Sequence, residues 1–216
     1  MIKTVIFDMD GTILNTLDDI TKSINVSLEY HQLPIKTKNE VRKAVGRGAL
    51  NLIIDVVPEN SDQKLIDSVF KKYQSYYDTH SNDLTAPYPH MLDVLKQLKE
   101  MGYKLAVVSN KYEYLVKKLN DDVFESIFAV AIGETKDLPI KPAPDMLFKA
   151  IKLLDSTIEE SIFIGDSDTY MKTAVNANIT SIGVTWGFRD KETLIKEGAK
   201  YIISDPFDMI KIISEG

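Results

Sequence analysis

Two carboxylates two residues apart, Asp8 and Asp10, close the apolar run Thr4 to Phe7 just before Gly11, a residue that permits a tight turn. Three other segments also carry groups able to do chemistry. Val107-Val108-Ser109-Asn110 ends in a hydroxyl and an amide, neutral groups suited to holding anion oxygens. Ile140-Lys141-Pro142-Ala143-Pro144-Asp145 sets a lysine among stiff prolines, with Pro144 suited to opening a helix. Ile162-Phe163-Ile164-Gly165-Asp166-Ser167-Asp168 supplies a further acidic end. Singly, each has an ordinary reading: Asp8 and Asp10 as turn residues, Asp166 as a helix cap, Lys141 as a solvated lysine. At the ends of different strands of one sheet, three carboxylates, one hydroxyl and one ammonium describe a site for Mg²⁺ and a phosphate. Magnesium prefers hard oxygen ligands and keeps some of its waters. Without a cation, an aspartate about 4 Å from a phosphate dianion faces roughly 8 kcal/mol of repulsion at an effective dielectric near 20.

The elements that must position these residues are legible as patterns. Thr4 to Phe7, Leu105 to Val108, Phe128 to Ile132, Ile162 to Ile164, Ser181 to Val184 and Tyr201 to Ile203 read as buried strands. Helical spacing lies between the later ones: Met91, Leu95, Leu98; Tyr112, Leu115, Leu119; Leu147, Ile151, Leu154; Met171, Ala174, Val175. This alternation implies an α/β fold, a mostly parallel sheet covered by helices on both faces, with ligands outside the carboxyl ends of its strands. Residues 16–83 differ. Leu17, Ile20, Ile24 and Leu28, then Leu65, Val69, Tyr73 and Tyr76, keep helical period with no convincing strand between. They read as an all-helical cap inserted after the first strand and ending near Pro87-Tyr88-Pro89, which leaves residues 1–15 and 84–216 as the core.

Composition bounds the function. With 216 residues, 44% of them hydrophobic, the chain can bury a substantial core. The absence of cysteine excludes a disulfide framework, a thiol nucleophile and a cysteine metal site, and makes a cytoplasmic location the expectation. A net charge of −6 argues against nucleic acid as a partner. Against a membrane stands the longest apolar run, Ile127 to Ile132, far shorter than the ~18 residues of a span. Asp8 and Asp10 interrupt a signal-peptide reading.

Asp8-Met9-Asp10-Gly11-Thr12, Ser109-Asn110, Lys141-Pro142-Ala143-Pro144-Asp145 and Gly165-Asp166-Ser167 resemble, in order, the four motifs of haloacid dehalogenase superfamily phosphatases. The helical insertion, Pro87-Tyr88-Pro89, Ser109-Asn110-Lys111 and Trp186-Gly187-Phe188-Arg189 look like the phosphoglycolate phosphatase branch. The resemblance implies a Rossmann-like core with a mobile helical cap, Mg²⁺ as cofactor and a covalent aspartyl-phosphate. It makes Asp8 the nucleophile, Asp10 the acid and base, Ser109, Asn110 and Lys141 the phosphate-binding groups, and Asp8, Asp10 and Asp166 the metal ligands. The implied partner is a small phosphorylated metabolite such as phosphoglycolate, and the expected assembly is a monomer or a homodimer. Nucleotidase, pyrophosphatase and sugar phosphomutase activities belong to the same superfamily, and a catalytically impaired relative with a binding role is the alternative outside catalysis.

Two positions depart from the pattern. Tyr170 stands where the fourth motif usually has a second aspartate, with Asp168 nearby as a substitute charge; Asn178 stands where relatives often have glycine, and asparagine tolerates a left-handed helix end. In the insertion, Arg47 between Gly46 and Gly48 is the candidate reader of substrate specificity. Tyr73, Tyr76 and Tyr77 beside Lys71 and Lys72 read as packing. His31, His80 and His90 share no metal-ligand spacing. A phosphorylated receiver domain also uses acids and a lysine on a parallel sheet, but needs neither the long insertion nor the acid at Asp10.

Overall fold

The computed structural model describes residues 1–215. Six parallel strands form one sheet: β1 (Thr4–Phe7), β4 (Lys104–Tyr112), β5 (Val130–Glu134), β6 (Ser161–Gly165), β7 (Thr180–Val184) and β8 (Tyr201–Ile203). Their order across the sheet is β5-β4-β1-β6-β7-β8. The chain therefore builds outward from β1 in both directions, and the crevice at the carboxyl ends of β4, β1 and β6 is the topological switch point where such sheets bind ligands.

Alternation along each strand sends side chains to opposite faces. Val5, Phe7, Leu105, Val107, Ile162 and Ile164 pack with α5 (Met91–Glu100), α6 (Glu113–Phe124) and α10 (Asp208–Glu215) through Leu95, Val116 and Met209. Ile6, Ala106, Val108 and Phe163 meet the opposite layer, α7 (Asp145–Leu153), α8 (Asp168–Asn176) and α9 (Lys191–Lys196), through Leu147, Met171 and Leu194. Every expected strand forms. Pro144 caps α7, and Asn178, just past α8, has φ 52°, the left-handed backbone expected of it.

Between β1 and α5 lie four helices: α1 (Leu17–Tyr30), α2 (Lys38–Ala44), α3 (Ala49–Val56) and α4 (Gln63–His80). They share a third apolar cluster in which Ile20, Ile24 and Leu28 of α1 meet Val41, Ile53, Val69 and Tyr73. Thr37 and Glu40 form a reciprocal cap that starts α2, and Asp62 caps α4. The buried face of α4 carries Tyr73 and Tyr77; Tyr76, placed on that face by the sequence reading, is only half-buried and stacks on His80.

The two chain segments entering and leaving this helical set pair with each other. A short antiparallel ladder joins β2 (Leu14–Asn15) to β3 (Ala86–Pro87), with Leu14 opposite Pro87. Beside it, the buried carboxylate of Asp19 accepts hydrogen bonds from the Leu84 N–H (2.9 Å), the Thr85 N–H (2.8 Å) and the Thr85 hydroxyl (2.8 Å). The sequence reading contained neither feature. Strands of two residues carry no periodicity, and Asp19 falls in helical sequence where an acid ordinarily faces water.

Candidate active site

Asp8 follows β1 directly, and its N–H bonds the Ile164 carbonyl of β6 at 2.9 Å, so the carboxylate is fixed at the switch point. It is fully buried. Lys141 Nζ donates to Asp8 Oδ1 at 2.7 Å and to the Val108 carbonyl at 2.6 Å, and the Thr12 hydroxyl donates to Asp8 Oδ2 at 3.3 Å. Burial pushes the Asp8 carboxyl up to about 6 while Lys141 pulls it down, and burial lowers the lysine in turn. The Lys141 ammonium also lies 3.8 Å from the centre of the Tyr170 ring. An aromatic face attracts a cation but lends it no full negative charge, so Tyr170 confines the lysine without competing with Asp8 for it.

Ser109 and Asn110 lie on an irregular extension of β4, whose pairing with β5 shifts register between Val108 and Tyr112; the expected strand end at Val108 is four residues short. The Ser109 hydroxyl accepts the Lys111 N–H at 3.2 Å and keeps its own hydrogen for another acceptor. Asn110 is differently engaged. Its Nδ2 donates to the carbonyls of Gly46 (3.1 Å) and Lys141 (2.9 Å), and its Oδ1 accepts the Lys141 N–H at 2.8 Å. Expected to bind phosphate, Asn110 instead spends its amide on aligning the Lys141 backbone and tying it to the helical insertion.

Asp166 ends β6. Its Oδ2 accepts the Phe188 N–H at 2.6 Å, whereas Oδ1 is buried with no partner. Burial, and then the charge of Asp8, push its carboxyl up to about 8 against the Phe188 N–H. A β-carbon at Gly11 (φ 85°) or at Gly187 would overlap the Asp166 side chain, so both glycines are required by this close approach. Asp168 does not join this group: it pairs with Arg189 Nε at 3.1 Å, which removes it as a substitute for the acid missing at Tyr170.

Asp10 lies in the turn after β1, and its Oδ1 is 3.0 Å from Lys111 Nζ, an ion pair without a well-aligned hydrogen bond. Lys111 Nζ also donates to the Tyr77 hydroxyl of α4 at 2.6 Å. A cavity between sheet and insertion, with about 50 Å³ in which the centre of a water molecule can move, is lined by Asp10, Ser109, Asn110, Lys111, Tyr77 and Tyr170, among others. Arg47 is outside that lining. It pairs with Asp55 and stays half-exposed, so the structure does not bring the expected specificity residue to the site.

The sequence reading also missed a reciprocal arginine clamp. Arg189 donates from Nη1 to the Arg42 carbonyl (2.9 Å) and from Nη2 to the Lys43 (3.1 Å) and Val45 (2.9 Å) carbonyls at the end of α2, where a cation meets unpaired carbonyls. Arg42 returns bonds from Nε to the Phe188 carbonyl (2.9 Å) and from Nη2 to the Gly187 carbonyl (3.3 Å). The same Phe188 bonds Asp166, so the insertion grips the loop that holds this carboxylate.

Among the described residues no three acidic or histidine side chains converge at metal-holding distance: Asp8 turns to Lys141, Asp10 to Lys111 and Asp166 to the Phe188 N–H. The donor chemistry nevertheless suits Mg²⁺. All three offer hard carboxylate oxygens, and the bare, buried Asp166 Oδ1 is an acceptor a cation would satisfy. Metal-free protein is accordingly expected to lose thermal stability as pH rises. Between 3.8, the ordinary carboxyl value, and about 8, folded Asp166 keeps a proton that the unfolded chain has released, so each increase in pH disfavours the folded state. Calorimetric Tm against pH should fall from the ordinary carboxyl range upward, and from about 6 to about 8, where Asp8 has already ionised, the fall is left to Asp166. Asp166→Asn should flatten that stretch; an unchanged slope would place its origin elsewhere.

Residues 5–184 match the Haloacid dehalogenase-like hydrolase family. A pyrophosphatase PpaX from Listeria monocytogenes is 28% identical across 99% of this chain and 97% of its own, and a phosphoglycolate phosphatase from Mannheimia succiniciproducens is 29% identical across 98% of each. Among solved structures, one from Lactobacillus delbrueckii subsp. bulgaricus superposes with a TM-score of 0.93 at 32% identity, covering 98% of both chains. A predicted phosphoglycolate phosphatase from Haemophilus somnus gives 0.91 at 26% identity, covering 98% of this chain and 97% of that one. The chain belongs to the haloacid dehalogenase-like hydrolases. Within that family it is a phosphatase of the phosphoglycolate phosphatase-like kind.

Proposed function

We propose that the chain is a Mg²⁺-dependent hydrolase of a small phosphomonoester, working through an aspartyl-phosphate on Asp8, with residues 16–83 as a cap over a core of residues 1–15 and 84–216. The observation that carries this reading is the placement of Asp8: a buried carboxylate at the switch point of the sheet, paired at 2.7 Å with Lys141.

A carboxylate in bulk water is a weak nucleophile toward a phosphate dianion. Here Lys141 keeps Asp8 ionised near neutral pH and stands beside the position of the phosphoryl oxygens. The free hydrogen of Ser109 points the same oxygens toward Asp8. An Asp8 oxygen attacks phosphorus, the bond to the leaving oxygen breaks, and Asp10, holding the proton it took from water in the preceding turnover, passes it to that oxygen. Asp10, now ionised beside Lys111, takes a proton from water as the water attacks phosphorus. The bond to Asp8 breaks, the carboxylate is restored and inorganic phosphate leaves. Mg²⁺, when held by Asp8, Asp10 and Asp166, would supply the charge that offsets the approach of an anionic nucleophile to an anionic phosphate. The small cavity favours a small leaving group, in keeping with the phosphoglycolate phosphatases among the relatives. Pyrophosphate, named for the Listeria relative, is the second reading.

Hydrolysis of p-nitrophenyl phosphate is expected in Mg²⁺ and should drop to background in EDTA, with phosphoglycolate and pyrophosphate compared as natural substrates. Turnover indifferent to EDTA would refute the metal dependence, and absence of turnover with every phosphate ester and pyrophosphate would refute the hydrolase.

A further inference from the structure

We propose that Lys111 is the specificity-determining residue of this site, reading a second anionic group on the leaving side of the substrate, and that Tyr77 from the cap holds its ammonium in place to do so. The inference rests on the phosphatase reading above and adds to it the residue that selects the substrate.

Lys111 is the one cationic side chain in the cavity lining among the described residues. Its side chain is only 5% exposed, a costly position for an ammonium unless charge and hydrogen bonds hold it there. Asp10 supplies the charge at 3.0 Å, the Tyr77 hydroxyl accepts a hydrogen bond at 2.6 Å, and Nζ stands 4.7 Å from the Tyr77 ring centre. Tyr77 is in turn braced by Tyr73, stacked at 5.4 Å and 12°. An ammonium has three donors. The Tyr77 hydroxyl takes one, Asp10 lies against the ammonium as an ion pair without a well-aligned hydrogen bond, and donor capacity is left for the cavity.

The position matters as much as the charge. Lys141 is committed to Asp8, where the phosphoryl group is transferred, whereas Lys111 sits beside Asp10, the group proposed to protonate the leaving oxygen. An atom bonded to that oxygen therefore lies next to Lys111. The cavity also contains Asp10 and Asp78, which disfavour an anion there unless a cation answers it. Arg47, turned to Asp55, does not provide that cation. A carboxylate or a second phosphate close to the scissile bond fits; a neutral leaving group leaves that donor capacity unpaired. The cap takes part because Tyr77 belongs to α4 while Lys111 belongs to β4, so the ammonium is held in this place only with the insertion seated on the core.

The test uses paired inhibitors of p-nitrophenyl phosphate turnover by the full-length protein with Mg²⁺. Phosphonoacetate carries a phosphonate and a carboxylate; methylphosphonate carries the phosphonate alone. The wild-type chain is expected to bind phosphonoacetate at least about tenfold more tightly. Lys111→Met should bring that ratio near one, Lys111→Arg should retain most of it, and Tyr77→Phe should reduce it partially. Calorimetric titration of the same two compounds into wild type and Lys111→Met supplies the ratio for a variant too slow to assay. A wild-type ratio near one, or a Lys111→Met ratio equal to wild type, overturns the proposal. Failure of the phosphatase reading is a separate result: no turnover of p-nitrophenyl phosphate by the wild-type chain under any metal condition.

Discussion

Asp8→Asn is expected to abolish turnover, lowering kcat by about 10⁴-fold or more, the scale on which removal of a catalytic nucleophile acts. An amide neither attacks phosphorus at a useful rate nor offers a metal an anionic oxygen. The fold should survive because the asparagine has the same shape, sits at a strand end and can still accept from Lys141, whose second bond runs to the Val108 carbonyl. Some stability will be lost, since the buried ammonium loses its counter-charge. Steady-state turnover of p-nitrophenyl phosphate, with circular dichroism and Tm on the same preparation, checks both halves. A folded Asp8→Asn protein retaining a tenth of wild-type activity would show that the chemistry runs through another group.

How much of this site could be read without a structure depended on the kind of signal each residue leaves. The six core strands were legible because parallel strands covered on both faces are written as short, continuous Val and Ile runs, and Asp8 and Asp166 stand at the ends of such segments, whereas Lys141, expected at a strand end, lies on the loop between β5 and α7. The insertion announced itself by helical spacing, although its face was placed one residue off at Tyr76 because tyrosines at 73, 76 and 77 satisfy two registers equally. Arg47, flanked by glycines, had the sequence signature of a mobile ligand-binding loop, yet Asp55 eight residues on satisfies its charge locally. Asn110 leaves the opposite kind of signal. Its type suits an anion, but the backbone groups it binds, at Gly46 and Lys141, are distant in sequence and leave no pattern there.

Lys111 and Arg189 were visible only as letters of branch motifs. Nothing local says that one reaches Asp10 and Tyr77, or that the other holds the end of α2. The contacts of Lys111 with Tyr77 and of Arg189 with α2 join core to insertion, and such contacts carry no period. Tyr170 is intermediate: as a missing acid it was conspicuous, but its role as a lid on Lys141 follows from Gly165, where a β-carbon would run into the tyrosine, and from the 3.8 Å ring contact. An acid at that position would face a lysine already paired with Asp8 and an Asp166 already pushed up to about 8 by burial and by the charge of Asp8.

Asp10→Asn is expected to slow the reaction by about 10² to 10⁴, the usual worth of a positioned acid and base, and the loss should depend on the leaving group. An alkoxide is a poor leaving group unless protonated as its bond to phosphorus breaks, whereas p-nitrophenolate departs without help. The first half-reaction should therefore be strongly impaired for phosphoglycolate and little impaired for p-nitrophenyl phosphate. Water attack on the aspartyl-phosphate needs the same carboxylate as base in either case, so the nitrophenyl ester should give a burst of product equal to the enzyme present, followed by slow turnover. The substitution leaves Lys111 bound to the Tyr77 hydroxyl, which limits the structural disturbance. Rapid-quench measurement of both esters resolves the two steps. Equal slowing of the first step for both esters would remove Asp10 as the leaving-group acid, and a missing burst with a slow nitrophenyl first step would show that the substitution damages attack by Asp8 itself.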